Sequence, residues 1–157
     1  MTQRIVSIRG FDPSVYLVAN EFYDAATSIP VAKRHAAYIV NLSFSIELYI
    51  KSLDVSQTIV FVEDNPFADS NEKVINARVK GHSLRKMFLK LGTEIRTEML
   101  NEYEKQFDGN LDSDLDSIQK AFVEYRYIFE KESASINLSA VERVANFLKQ
   151  FTEQKYR

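Results

Sequence analysis

The sequence predicts an all-α protein, an up-and-down bundle of four to six helices with a small hairpin or irregular loop at about 55–80. Three observations predict it. Only 4 glycines and 3 prolines occur in 157 residues, too few for a fold built on many tight turns. The chain is 45% hydrophobic and 27% charged, enough for a core and a solvated surface. Apolar residues recur at helical spacing over several long stretches. No repeat, low-complexity run or linker divides the chain, so residues 1–157 are read as a single domain.

The elements follow in order. Asp12 is a candidate N-cap, with Pro13 at the first helical position, for a helix over about 13–27. Pro30 opens a second, longer helix to about residue 53. "VSQTIVFVED" is short and β-branched, "NPFADSN" is turn chemistry, and "EKVINARVKGH" reads as a return strand, giving a hairpin over about 57–79. A short helix over about 83–91 is closed by Gly92 as a C-cap, and Thr93 is the capping candidate of another that runs to about 107. "DGNLDSD" reads as a loop, residues 114–132 as the next helix, "SASINLS" as its break, and Ser139 as the cap of a last helix over 140–155.

Composition excludes several chemistries. With no cysteine there are no disulfides, thiolate metal sites or cysteine nucleophiles, and a reducing compartment is expected. Lys+Arg total 20 against 22 Asp+Glu, so net charge gives no reason to expect non-specific nucleic-acid binding. The N-terminus lacks the apolar core of a signal peptide. The most apolar stretch, 36–53, carries Asn41, Ser43, Ser45, Glu47 and Lys51, a load that a lipid-facing helix would not bear. The reading is a cytoplasmic protein without a membrane span. No glycine-rich phosphate loop or metal-ligand spacing occurs, and the acids of "DGNLDSDLD" lack the glycine and terminal glutamate of a calcium loop. No cofactor and no metal are assigned.

Two helices carry polar groups at unexpected phases. On a wheel of residues 36–53, Ile39, Leu42, Ile46, Tyr49, Ile50 and Leu53 form one apolar face. Ala37, Val40, Phe44 and Leu48 form a second. A helix apolar on both sides is the central helix of its bundle. Ser43, Glu47 and Lys51 run along the seam at i, i+4 and i+8, with Lys51 close enough to the helix end to reach water. Glu47 is deeper and needs a partner from another helix. In the expected helix that runs through "AFVEYRYIFEKES" (121–133), Leu115, Ile118, Phe122, Tyr125 and Phe129 share a face, with Arg126 and Glu130 beside it. A guanidinium bridges two carboxylates, so Glu47–Arg126–Glu130 is the expected network. His82, between Gly81 and a helix start, is the third polar candidate, as a core-edge hydrogen bond or as an acid–base group. His35 beside Arg34 reads as a surface residue. Tyr16, Phe22, Tyr23, Tyr38 and Phe44 have helical spacing and read as core rather than as base-stacking platforms.

"SIELYIKSL" (45–53), "GHSLRKMFLKL" (81–91) and "FVEYRYIFE" (122–130) together resemble the HEPN-like helical proteins of bacteria. The carriers are a Ser-x-Glu-Leu-x-x-Lys helix, a Gly-His-x-Leu helix start and an Arg-Tyr-x-x-Glu helix. The resemblance implies a bundle of four or five helices, often dimeric. In ribonuclease members, it implies an arginine followed after four to six residues by a histidine, paired across the dimer. There the arginine stabilises phosphate charge and the histidine performs acid–base catalysis. This chain departs from that motif. Tyr, Ile, Phe, Glu, Lys, Glu, Ser and Ala follow Arg126, and Arg78 precedes His82 by only three intervening residues.

Structural roles are therefore expected for Glu47, Arg126, Glu130 and His82, and no catalytic residue is assigned. The favoured function is a non-catalytic HEPN-like interaction module, with a bacterial toxin–antitoxin or phage-defence setting implied by the resemblance alone. Its expected partner is a second copy or another protein. The alternatives are a divergent, metal-independent RNA endonuclease using Arg126, His82 and Glu47, or a nucleotide-binding module.

Overall fold

The computed structural model describes residues 3–62, 72–77, 81–119, 124–125 and 137–157. Strand β1 (Gln3–Gly10) leads into α1 (Pro13–Thr27), a 3-10 turn (Val31–Lys33) and α2 (Ala36–Ser52). Strands β2 (Val55–Val62) and β3 (Glu72–Ala77) follow. Then come α3 (Leu84–Lys90), α4 (Thr93–Phe107), α5 (Leu111–Ile118) and α6 (Leu138–Tyr156). The predicted helical bundle with a hairpin is present. Among the described residues, no helix is long and apolar enough to cross a membrane.

Helix α2 is central, as its two apolar faces require. It packs along α1, α6 and α3. Leu42, Ile46, Tyr49 and Ile50 are essentially solvent-free in a core shared with Leu84, Met87 and Phe88 of α3, Met99 and Tyr103 of α4, and Val144, Phe147, Leu148 and Phe151 of α6. Of the aromatic residues read as core, Tyr16 and Tyr38 are buried in it and Tyr23 packs against it half-buried, while Phe22 and Phe44 stack on each other at 5.0 Å, half-buried, outside the core cluster. Buried tyrosines also tie helices together through their hydroxyls. Tyr49 donates to Asn20 of α1 at 2.6 Å, Tyr38 to Glu142 of α6 at 2.7 Å, and Tyr103 of α4 to Asp114 of α5. Burial and then the bond to Glu142 push the Tyr38 phenol up to about 12.

The sheet is antiparallel with order β1-β2-β3. Gln3 faces Val62 and Gly10 faces Val55, while Val55 and Val60 face Ala77 and Glu72. The hairpin falls inside the predicted region. The strand β1 is an addition that the sequence reading leaves unassigned. Its partner lies across two helices, and its large residues Ile5 and Ile8 are three apart, so they do not follow the one-face alternation of a half-buried strand. Gly10, with φ of 144°, lets the chain leave β1 and turn toward α1.

Four boundaries differ from the sequence reading. The short helix closes at Leu91, and Gly92 rather than Thr93 is the N-cap of α4. The second helix starts at Ala36, not Pro30, because Arg34 turns back on α1. Its Nε and Nη2 donate to the carbonyls of Ile29 and Thr27 at 3.0 and 3.2 Å, and its guanidinium lies over Tyr38. Part of the predicted "DGNLDSD" loop is helical, since Asn110 accepts from the Ser113 amide and Asp112 and Asp114 suit a first turn. The cap of the last helix is Asn137, which accepts from the Ala140 amide at 3.1 Å, not Ser139. The rest of the predicted 114–132 helix lies mostly outside the described residues, although Tyr125 packs on the core.

Asp12 joins the sheet to the bundle. Its carboxylate accepts from the Ser14 and Val15 amides at 2.8 and 3.0 Å, capping α1, and from the Ser14 hydroxyl. Its second oxygen accepts from the Gln57 side chain on β2, and its backbone amide donates to Ser52 at the end of α2. Burial alone would raise its pKa. The Ser14 hydroxyl, Val15 amide, Gln57 side chain and Ser14 amide outweigh that and hold the carboxyl below its ordinary value. A depressed carboxyl adds stability that is full above its unfolded pKa and lost as pH falls through the folded one. Asp12→Ala is predicted to lower unfolding free energy by about 2 kcal/mol at neutral pH, from the lost cap and the stranded Gln57 amide. Denaturant unfolding of both proteins along an acid pH series should show that difference shrinking below the ordinary carboxylate range. A constant difference would mean that the ionised carboxylate is not the source.

Candidate functional site

The fourth turn of α2 brings Glu47 to the seam between that helix's two apolar faces, where it is buried at 6% exposure. Its Oε1 accepts from Lys51 Nζ, one turn on, at 2.6 Å. The same oxygen lies 3.1 Å from His82 Nδ1. His82 comes from the segment just before α3, whose Leu84, Met87 and Phe88 are buried in the shared core and so bring that segment up to α2. The His82 side chain is 69% exposed, so a surface imidazole rests on a buried carboxylate. Glu47 Oε2, and Ser43 Oγ one turn back, are shielded from solvent and lack a hydrogen-bond partner among the described residues. Such orphan acceptors on one line of a helix are unusual in a folded core.

The sequence reading asked for a partner to Glu47 from another helix. The structure supplies Lys51 from the same helix, and His82 from ahead of α3. Lys51, expected to reach for water, turns inward instead, because the i, i+4 spacing lets it neutralise a carboxylate that water reaches poorly. Arg126 and Glu130 lie outside the described residues. His35 sits at the N-terminal boundary of α2 and is exposed.

The arrangement has a definite chemical capacity. If His82 Nδ1 carries the proton donated to Glu47, the basic nitrogen of the ring is Nε2. That is how a carboxylate orients an imidazole for proton transfer. Among the described residues, no group of three or more histidine, aspartate or glutamate side chains is placed to hold a metal ion.

A second concave region lies between the end of β1, the end of α2, the start of α4 and the end of α6. It is a groove of about 420 Å³ with an apolar floor that includes Phe11, Leu53, Leu91 and Ile95. Its rim carries two ion pairs. Arg9 Nε and Nη2 grip both oxygens of Asp54 at 2.9 Å each, and Lys155 Nζ meets Glu98 at 2.9 Å. The pair with Asp54 raises the Arg9 guanidinium further above its ordinary value. Sequence reasoning missed this groove, since its residues come from four distant segments with no motif among them.

No family model, curated protein or solved structure matches this chain.

Lys51→Met would leave the buried Glu47 carboxylate with His82 as its remaining polar neighbour among the described residues. This substitution is predicted to cost about 2 kcal/mol. Adding Glu47→Gln should restore more than half of that loss, because the uncompensated charge is removed with its partner. Urea unfolding of the wild type, both single variants and the double variant measures the coupling. Simple addition of the two single losses would show that the residues do not act as a pair.

Proposed function

We propose that this chain is a non-catalytic, HEPN-like interaction module that docks on a second copy or another protein. A bacterial toxin–antitoxin or phage-defence pair is the setting that the resemblance implies. The observation that carries the docking reading is the surface of β1. Ile5 and Ile8 are 63% and 54% exposed on a strand that pairs with β2 on one side only among the described residues. Large apolar side chains on an edge strand are costly to leave in water, and folded proteins blunt such edges unless a partner covers them. The Glu47 cluster supports the non-catalytic half of the reading, since Lys51 and a buried environment turn the carboxylate to packing.

Light scattering coupled to size exclusion is predicted to give a dimer, or a stable complex with a co-expressed partner. Replacing both residues, Ile5→Lys with Ile8→Lys, should abolish it while leaving the circular dichroism unchanged. Association that survives both charges would remove β1 from the interface.

A second reading, RNA cleavage, is favoured by one observation, the exposed His82 ring held against buried Glu47. Incubation with labelled RNA tests it. Cleavage by the wild type that disappears in folded His82→Ala and Arg126→Ala variants would replace the non-catalytic reading.

A further inference from the structure

Arg96, on the flank of α4, is a cation whose surroundings lack a matching anion. Its Nη2 donates to the Thr93 hydroxyl at 3.3 Å, a long and neutral bond. Its Nε is shielded from solvent and has no hydrogen-bond partner. Among the described residues, no carboxylate lies within ion-pair distance of it. The neighbouring Asp112 does not serve, because Arg85 takes both of its oxygens, at 3.0 and 3.2 Å.

This guanidinium opens onto a pocket of about 350 Å³ between α3, α4 and the start of α5. Phe88, Leu89 and Leu100 supply its apolar wall, while Thr93, Arg96 and Asp112 supply its polar groups. Leu89 is itself 44% exposed. The volume lies within the range of small-ligand sites, and an apolar wall with few polar groups is their usual composition. The Nη2 end of the guanidinium, held only by a long bond at an exposed position, is the part that a carboxylate can reach, and a guanidinium's planar fork fits a carboxylate.

We infer that this pocket binds a small monocarboxylate with an apolar body, its carboxylate on Arg96 and its body against Phe88, Leu89 and Leu100. One guanidinium matches the charge of a singly charged acid, and the apolar wall gives a phosphate dianion nothing to pack on, so phosphate is the poorer occupant. The site is independent of β1 and of the Glu47 cluster.

Titration of the full chain with sodium benzoate, followed by the Arg96 side-chain N–H and Leu100 methyl resonances, tests this. Saturable shifts confined to the pocket are expected. Neutral benzamide, of the same shape, should bind about ten-fold more weakly, as should a folded Arg96→Met variant. Arg96→Lys, which keeps the charge but loses the fork, should fall between them. Equal response to benzoate and benzamide, no saturation, or tighter binding of inorganic phosphate would each overturn the proposal. The benzoate and benzamide comparison uses wild-type protein alone, so it stands even if a variant fails to fold.

Discussion

Asp12 occupies the junction where the sheet meets the bundle, and its bonds run to α1, to β2 and to the end of α2. The carboxylate caps α1 and holds Gln57 of β2, while the backbone amide closes on Ser52 at the end of α2. A buried carboxylate is ordinarily costly. Here four donors offset that cost, and the charge becomes the means by which the start of α1 and strand β2 are held in one geometry. The Arg9–Asp54 fork closes the same corner from the other side, between the end of β1 and the start of β2. With the corner fixed, β1 runs along β2 in a single register and its isoleucines face outward rather than into the core.

The bundle behind that corner is organised around α2. Deep burial of one apolar face and half-burial of the other make it central, and tyrosine hydroxyls then link neighbouring helices at defined points. Each such bond satisfies a polar group at the end of a large apolar side chain, so packing and orientation are set together. Glu47 is the exception in this core. It has one oxygen held by Lys51 and one without a partner, and it draws His82 to the surface above it. Charge in a core need not raise stability, but it restricts the arrangements that can satisfy it.

Much of this was legible before any coordinates. Helical spacing located α1, α4 and the centrality of α2, and the Asp12–Pro13 pair marked the start of α1. β-branched residues and the turn between them located the hairpin. The strand β1 was not legible, because its pairing is non-local and its exposed isoleucines break the one-face pattern that marks a strand. The start of α2 was misread because Arg34 caps α1 from a distance, an interaction that local propensity does not encode. In the candidate site, the phase of Glu47 and the position of His82 were visible as anomalies. Their contact depends on how α3 seats on α2, which spacing alone does not supply. The Arg96 pocket and the Arg9–Asp54 groove left no motif at all, since each is assembled from segments far apart in the chain.

The central claim is that Asp12 couples the sheet to the helices, rather than merely capping one of them. Amide hydrogen exchange, residue by residue, in the wild type and Asp12→Ala measures this directly. Coupling predicts that protection falls together at Val15 and Tyr16 in α1, at Leu53 beyond α2, and at Thr58 to Val60 in β2. Loss confined to the first turn of α1, with β2 protected as in the wild type, would contradict it.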